Sequence, residues 1–335
     1  MRKLYLFLTA LLVAVCVFSG IPTTKVSAAE CEYYLGGIPA GFTLSQGGVE
    51  VIGINEVADA NGSRSPAAEA GIKAGDHIVA IDGISVKSIS ELGAALERSG
   101  GKPVKVTVKR AGETAEAEMT PVKDEKTGKY KLGVLVRDTL NGIGTITYIN
   151  KQTLQFGSLG HAVCSENCSE LSALNSKVYL CSIVGVNRGV RGRAGELRGL
   201  FLNDKPIATA SKVCDTGLYG TFDKDYDFSQ MKTIQSAPVS EAKIGEACIY
   251  STIDGVTPCE YKISIVKVDA RQKDNKNFVL KVTDERLINE TGGIVQGMSG
   301  SPIVQNGKLI GAVTHVFLND PTRGYGIGIE KMLTN

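Results

Sequence analysis

Tryptophan is absent from these 335 residues, histidine occurs three times, and neither sign of charge dominates. With 37 Lys and Arg against 35 Asp and Glu the net charge is +2. That balance gives no electrostatic footprint for a nucleic-acid partner. No CxxC pair occurs among the cysteines. His161-x-x-Cys164-x-x-x-Cys168 is the one spacing that suggests a metal cluster, and without a CxxC pair it is read as no metal and no cofactor. Cys16 falls in an N-terminal targeting segment. Cys31, Cys164, Cys168, Cys181, Cys214, Cys248 and Cys259 remain, an odd number that argues against a fully paired disulfide framework. Buried thiols or one or two disulfides are expected instead. Sustained helical periodicity is also missing beyond residue 131, which excludes a helical second half.

What is present begins with Arg2-Lys3, an apolar run over roughly residues 4–21, and the small residues Ser27-Ala28-Ala29. These are the three parts of a signal peptide, and the run is also near the lower limit for a membrane anchor. Either way the rest of the chain is expected to be exported. The length fits two domains. The expected division is 1–29 signal peptide or anchor, 30–122 first module, 123–131 linker and 132–335 second domain.

The first module alternates between strand and helix signals. "GVEVIGINEV" reads as a strand. "SRSPAAEAGIKAGD" reads as a short helix capped by Ser65, with Pro66 in its first turn. Asp82-Gly83 and Ala111-Gly112 mark turns. Ser88-x-x-Glu91 is a capping box that opens a helix ending at Gly100-Gly101. This order resembles a bacterial PDZ domain, most specifically in "SPAAEAGIKAGDHIVAIDG". The resemblance implies a groove beside the helix at Ser90–Arg98 that takes peptide C-termini or extended segments by strand addition. "PAGFTL" is the nearest match to its carboxylate loop, so Gly41 and Phe42 are the candidate peptide-binding residues. "KDEKTGKYK" is polar and turn-rich, hence the linker. Seven short strand signals follow, from "GIGTITYIN" to "GYGIGI", and favour an antiparallel barrel or sandwich.

Gly297-Met298-Ser299-Gly300-Ser301-Pro302 precedes one of those strands. A serine hydroxyl attacks a carbonyl only if a base takes its proton and donors hold the oxyanion. Flanking glycines allow the backbone angles and close approach this needs, and the Gly297 and Ser299 amides can point at one oxygen. G-x-S-G-x-P resembles the nucleophile region of chymotrypsin-like proteases. Of the histidines, His77 sits in a strand of the first module, His161 in "FGSLGHAVC" precedes Ser299, and His315 follows it in a strand. His161 is the candidate base. For the acid, spacing from His161 favours Asp204, with Asp284 in "KVTDERL" as the other candidate. His315 is assigned to the substrate pocket. Period two puts Val313, His315 and Phe317 on one face of its strand, with Thr314 opposite unless a bulge intervenes. Packing in the barrel wall is the plainer alternative for His315. "NRGVRGRAGELRG" is read as a solvated loop or an edge facing anionic lipid, and Asp223, Asp225 and Asp227 as an acidic turn.

"FGSLGHAV", "VTDERLINETGGIVQGMSGSPIVQNGKLIGAVTHVFLNDPTRGYGIGIE" and the N-terminal module together resemble the stage IV sporulation protein B serine peptidases. "LGGIPAG" departs from that family's order around the double glycine. The resemblance implies a mainly β chain, with a PDZ module followed by a chymotrypsin-like antiparallel double β-barrel. It implies His161, Asp284 and Ser299 as a catalytic triad. It also implies an exported endopeptidase acting in sporulation signalling, in the space between forespore and mother-cell membranes. Its substrate would be a membrane-associated regulator, and it would also cleave itself. The rival reading is a non-catalytic PDZ scaffold that binds protein partners.

Overall fold

The computed structural model describes residues 32–60, 62–163 and 172–335. Strand signals become strands throughout. In chain order they are β1 (Glu32–Leu35), β2 (Pro39–Ile54), β3 (Val57–Asp59), β4 (Gly62–Arg64), β5 (His77–Ile81), β6 (Ile84–Ser85), β7 (Val104–Arg110), β8 (Glu113–Met119), β9 (Val122–Lys123) and β10 (Tyr130–Lys131). There follow β11 (Val134–Asn150), β12 (Gln155–Leu159), β13 (Ser172–Asn187), β14 (Glu196–Phe201), β15 (Ala208–Cys214), β16 (Gly217–Phe222) and β17 (Thr233–Ser236). The last are β18 (Gly245–Ser251), β19 (Cys259–Val268), β20 (Phe278–Val282), β21 (Pro302–Gln305), β22 (Lys308–Phe317) and β23 (Asp320–Gly328). The helices are α1 (Pro66–Glu69), α2 (Ile89–Ser99), α3 (Glu285–Thr291) and α4 (Ile329–Leu333).

The pairings close two rings. β2, β11, β12, β16, β15 and β13 pair in that order and β13 returns to β2. β18, β19, β20, β23, β22 and β21 pair in that order and β21 returns to β18. All of these pairs are antiparallel, so the chain carries two six-stranded barrels with few open edges. Phe42, Phe156 and Leu218 belong to the core of the first, and Ile249, Phe278 and Leu280 to that of the second. A third cluster, including Tyr33, Tyr148, Leu309 and Ile327, draws on strands of both barrels.

The PDZ-like module is not strung before the barrels on a linker. β2 and β11 are a long antiparallel ribbon. Its near end, Pro39–Ser45 against Thr139–Thr145, belongs to the first barrel. Its far end, Glu50–Ile54 against Val134–Arg137, enters the module, where Val49 and Val51 pack with Leu92, Leu96 and Val106. Residues 32–45, expected in the first module, therefore lie with the barrels, and β1 pairs with β11 and β17 there. The expected linker is itself folded. β9 and β10 pair, and Asp124 accepts from Thr127 and Lys131 across the turn.

Local signals are realised as read. The Ser65 hydroxyl accepts from the Ala68 amide and the Ser88 hydroxyl from the Glu91 amide. Gly100 closes α2 in the left-handed conformation. Among the described residues no helix is long and apolar enough to cross a membrane.

Candidate active site

His161 and Ser299 come from different barrels and line one cavity of about 550 Å³. His161 follows β12. Leu159 and Gly160 before it have φ of 69° and 73°, a pair of left-handed residues that turns the chain out of the strand. For leucine that conformation is strained, and such strain gathers at functional sites. A Cβ on Gly160 would lie 3.0 Å from side-chain carbons of Thr314 and Ile327, so the turn is pressed against the second barrel.

Ser299 stands in the loop between α3 and β21. Gly300 after it has φ of 95°, and a Cβ there would sit 2.1 Å from the Thr145 carbonyl oxygen and 2.6 Å from the Leu159 nitrogen. Only glycine lets this loop lie against the strands that carry His161. Thr145 of β11 fixes the loop twice. Its amide donates to the Ser299 carbonyl at 3.0 Å and its hydroxyl to the Gly297 carbonyl at 2.8 Å.

Four amides between Gln296 and Ser301 are bonded. Gln296 donates to Gly195, Met298 to Val295, Gly300 to Val313 and Ser301 to Met298. The amides of Gly297 and Ser299 have no acceptor among the described residues. Two free N–H groups, separated by Met298 and including that of the serine itself, are the donors an oxyanion requires.

The His161 Nδ1 lies 2.7 Å from the Ala162 carbonyl oxygen. A carbonyl can only accept, so Nδ1 carries the proton and Nε2 is left as the basic nitrogen. Burial holds the imidazole below its ordinary pKa, against the opposing pull of that hydrogen bond. The imidazole thus favours its neutral form.

His315 is exposed and its ring centroid lies 4.9 Å from that of His161. Partial desolvation, then the neighbouring His161 and then Lys276 lower its pKa. It lies against His161 and not among the side chains that line the cavity. The barrel-wall alternative does not fit an exposed ring. A bulge between Val313 and Val316 breaks the simple alternation of β22, so buried Val313 is followed by buried Thr314.

Asp284 is not brought to His161. Its carboxylate N-caps α3, accepting from the Arg286 amide, and takes the Arg286 guanidinium at 2.8 and 3.0 Å. It also accepts from the Lys262 amide. The Arg286 hydrogen bond, above all, holds its pKa down at about 2. Asp204, the candidate from spacing, is exposed. It has no hydrogen-bond or ion-pair partner among the described residues. His77 pairs opposite Glu50 and Lys109 within the PDZ-like sheet.

Gly41 and Phe42 are not at the peptide groove. Both lie in the first-barrel part of β2, paired with β11 and β13. Phe42 is 2% exposed and lines the cavity of His161 and Ser299. A Cβ on Gly41 would strike the Phe201 ring. The groove of the module is a cavity of about 600 Å³ between α2 and the Lys129–Val136 segment. The Leu132 and Gly133 amides in its wall have no acceptor among the described residues, as a carboxylate loop requires. Gly133 has φ of 77°. The signal in the sequence is glycine between apolar residues ahead of a strand, in "KLGVLV", which straddles the expected boundary between linker and second domain.

Hydrogen bonds also place the other segments singled out by sequence. Arg188 of the arginine-rich loop donates to the Ile288 and Asn289 carbonyls at the end of α3. Asp223 and Asp227 accept from amides two residues on, as turn formers do. Cys181, Cys214, Cys248 and Cys259 are free thiols. Cys164 and Cys168, the other members of the spacing with His161, lie outside the described residues. Cys31 and the targeting segment lie outside as well.

The sequence model of the SpoIVB peptidase S55 family matches residues 128–333, and that of a PDZ domain matches 61–110. A putative zinc metalloprotease of Agrobacterium fabrum is 32% identical over 108 residues, 30% of this chain and 29% of that one. The probable protease eep of Enterococcus faecalis is 27% identical over 179 residues, 44% of this chain and 41% of that one. The chain thus spans less than half the length of these curated relatives. Among solved structures, the PDZ domain of an SdrC-like protein of Listeria monocytogenes covers 28% of this chain and 90% of its own, at 29% identity and a TM-score of 0.23. The Rv3671c protease of M. tuberculosis, in its active form, covers 58% of this chain and 74% of its own, at 16% identity and a TM-score of 0.35.

Proposed function

Because the chain belongs to the SpoIVB peptidase S55 family, we propose that it is an exported serine endopeptidase in which His161 serves as base to Ser299. In this reading His161 Nε2 takes the hydroxyl proton as Oγ attacks a peptide carbonyl. The Gly297 and Ser299 amides hold the oxyanion. The imidazolium then returns its proton to the leaving amine, and water repeats the sequence on the acyl-enzyme. The Ala162 carbonyl holds the working tautomer. Asp284, bonded to Arg286, acts on the site by anchoring α3, which leads into the nucleophile loop.

The observation that carries this reading is the pair of undonated amides at Gly297 and Ser299, beside a serine that shares its cavity with a neutral histidine. A scaffold has no use for that combination. The substrate is a protein held in two places, at the cleft and at the groove beside α2. Ile89, Leu92 and Val134 in the groove wall suit an apolar C-terminal segment. The sporulation role, the membrane-associated regulator as substrate, self-cleavage and the location between forespore and mother-cell membranes belong to this proposal and rest on family resemblance.

A fluorophosphonate probe tests it. Covalent labelling at Ser299 that disappears in His161→Ala is expected. A folded protein that is never labelled, under conditions where a known serine peptidase reacts, would return the chain to the scaffold reading.

A further inference from the structure

β22 carries the strand beyond Ala312 without its β21 neighbour, since that pairing ends at Pro302 with Ala312. From Thr314 to Phe317 one edge of β22 is therefore unpaired among the described residues. The Thr314 carbonyl on it already accepts the Ser299 hydroxyl. An extended substrate whose scissile carbonyl sits at Ser299 can add to this edge, with its preceding residues running past His315 towards Phe317 at about 3.3 Å per residue.

The surface it would meet is basic. Arg323 of β23 stands directly opposite Lys281 of β20. Directly opposed residues share a face, and like charges so placed destabilise a sheet. Tyr325 lies on the same face two residues on. Phe317 packs on Tyr325 at 4.6 Å between centroids, with the Arg323 guanidinium 5.7 Å from the Phe317 ring. Lys276 Nζ lies 5.0 Å from the Tyr325 ring and is close enough to His315 to depress its pKa. None of Lys276, Lys281 and Arg323 has a carboxylate partner among the described residues. The Arg323 Nε is buried without an acceptor. Asp269 is paired with Lys267, and Asp320 accepts from Thr322.

An opposed Arg–Lys pair with an orphan donor is a cost with no return inside the fold. We propose that the aromatic shelf of Phe317 and Tyr325, ringed by Lys276, Lys281 and Arg323, is a subsite for an acidic side chain two to four residues before the scissile bond. The aromatic rings carry the aliphatic part of a glutamate or aspartate, and the charge of the Arg323 guanidinium and of the Lys276 and Lys281 ammonium groups holds the carboxylate. This inference rests on Ser299 as nucleophile, which fixes where the substrate strand lies.

The test is a library of extended, internally quenched peptides carrying Glu, Gln or Lys at each of those three positions. For wild type, Glu should exceed Gln in kcat/KM by roughly tenfold at one position at low ionic strength, and the gain should shrink in concentrated salt. Lys281→Gln with Arg323→Gln should remove the Glu preference and leave turnover of the Gln peptide and the melting temperature near wild type. Lys276→Glu, an exposed single change, should lower the preference even if the double variant folds poorly. No Glu preference in wild type, or an undiminished one in the folded variants, overturns the subsite. Fluorophosphonate labelling of the same samples keeps the two questions apart. Labelled enzyme without Glu preference sinks only the subsite, whereas absent labelling sinks the serine mechanism.

Discussion

The Ser299 hydroxyl donates to the Thr314 carbonyl at 2.9 Å. The nucleophile's proton therefore points at the strand that a substrate would join, and not at His161. A substrate N–H that takes the Thr314 carbonyl would compete with the hydroxyl and free it for His161 Nε2. Binding and activation of the serine then become one event. Ser299→Ala and His161→Ala should each abolish turnover, with losses of roughly a thousandfold or more, and the double variant should lose no more than either alone. Kinetics on all three proteins, beside melting curves showing that each is folded, checks this. Additive losses would contradict a single catalytic unit.

Gly297 has φ of 94°, and a Cβ there would lie 3.0 Å from the Leu197 Cβ. Gly297→Ala should cost roughly 1–3 kcal/mol through backbone strain and displace one oxyanion donor. Thr145→Val is the companion, removing the hydroxyl that holds the Gly297 carbonyl at a cost of about 1 kcal/mol. Both should lower kcat more than they raise KM, because oxyanion contacts strengthen only in the transition state. Denaturant unfolding and steady-state kinetics on the same preparations separate the two effects.

Asp284 and Arg286 should behave as one unit. Asp284→Ala removes a helix cap and the ion pair, and is expected to cost roughly 1–2 kcal/mol. Arg286→Ala should match it closely in turnover per folded molecule. If Asp284→Ala removes all turnover while Arg286→Ala keeps it at equal stability, Asp284 orients the base and not the helix.

Burial lowers the pKa of both His161 and His315. The unfolded chain then takes up protons that the folded one resists. Their contribution to stability is full above the ordinary histidine value of about 6.5 and is lost as pH falls below it through the depressed values. The acid limb of kcat/KM should likewise lie below 6.5, since the free base persists to lower pH. His315→Ala removes a neighbouring charge and should move that limb upwards. A limb that does not move in His315→Ala would mean that the two rings titrate independently.

Ile89 lines the groove beside α2 and is 42% exposed. Ile89→Asp should weaken binding of a peptide with an apolar C-terminus by roughly tenfold, while turnover of short peptides at the cleft stays unchanged. Calorimetry on the full chain and a cleavage assay read the two sites separately.

Sequence alone determined the features that depend on a few adjacent residues. Ser65, Ser88 and Gly100 cap helices, and Asp82-Gly83 and Ala111-Gly112 turn hairpins, because the groups they satisfy lie within four positions along the chain. The serine between glycines and the mainly β character were legible for the same reason. Asp284 as a helix cap belongs to the structure, where it stands directly before α3 and Gly292 closes that helix. Tertiary structure decided the rest. Nothing local shows that β2 and β11 pair across the whole PDZ module, which places Gly41 and Phe42 in the first barrel and Leu132 and Gly133 at the groove. The bulge in β22 reset which side chains face the core, and the opposition of Arg323 to Lys281 exists only once β23 lies against β20. Pairing between strands far apart in the chain is set by the register that buries both barrels at once, and no short stretch of residues carries that information.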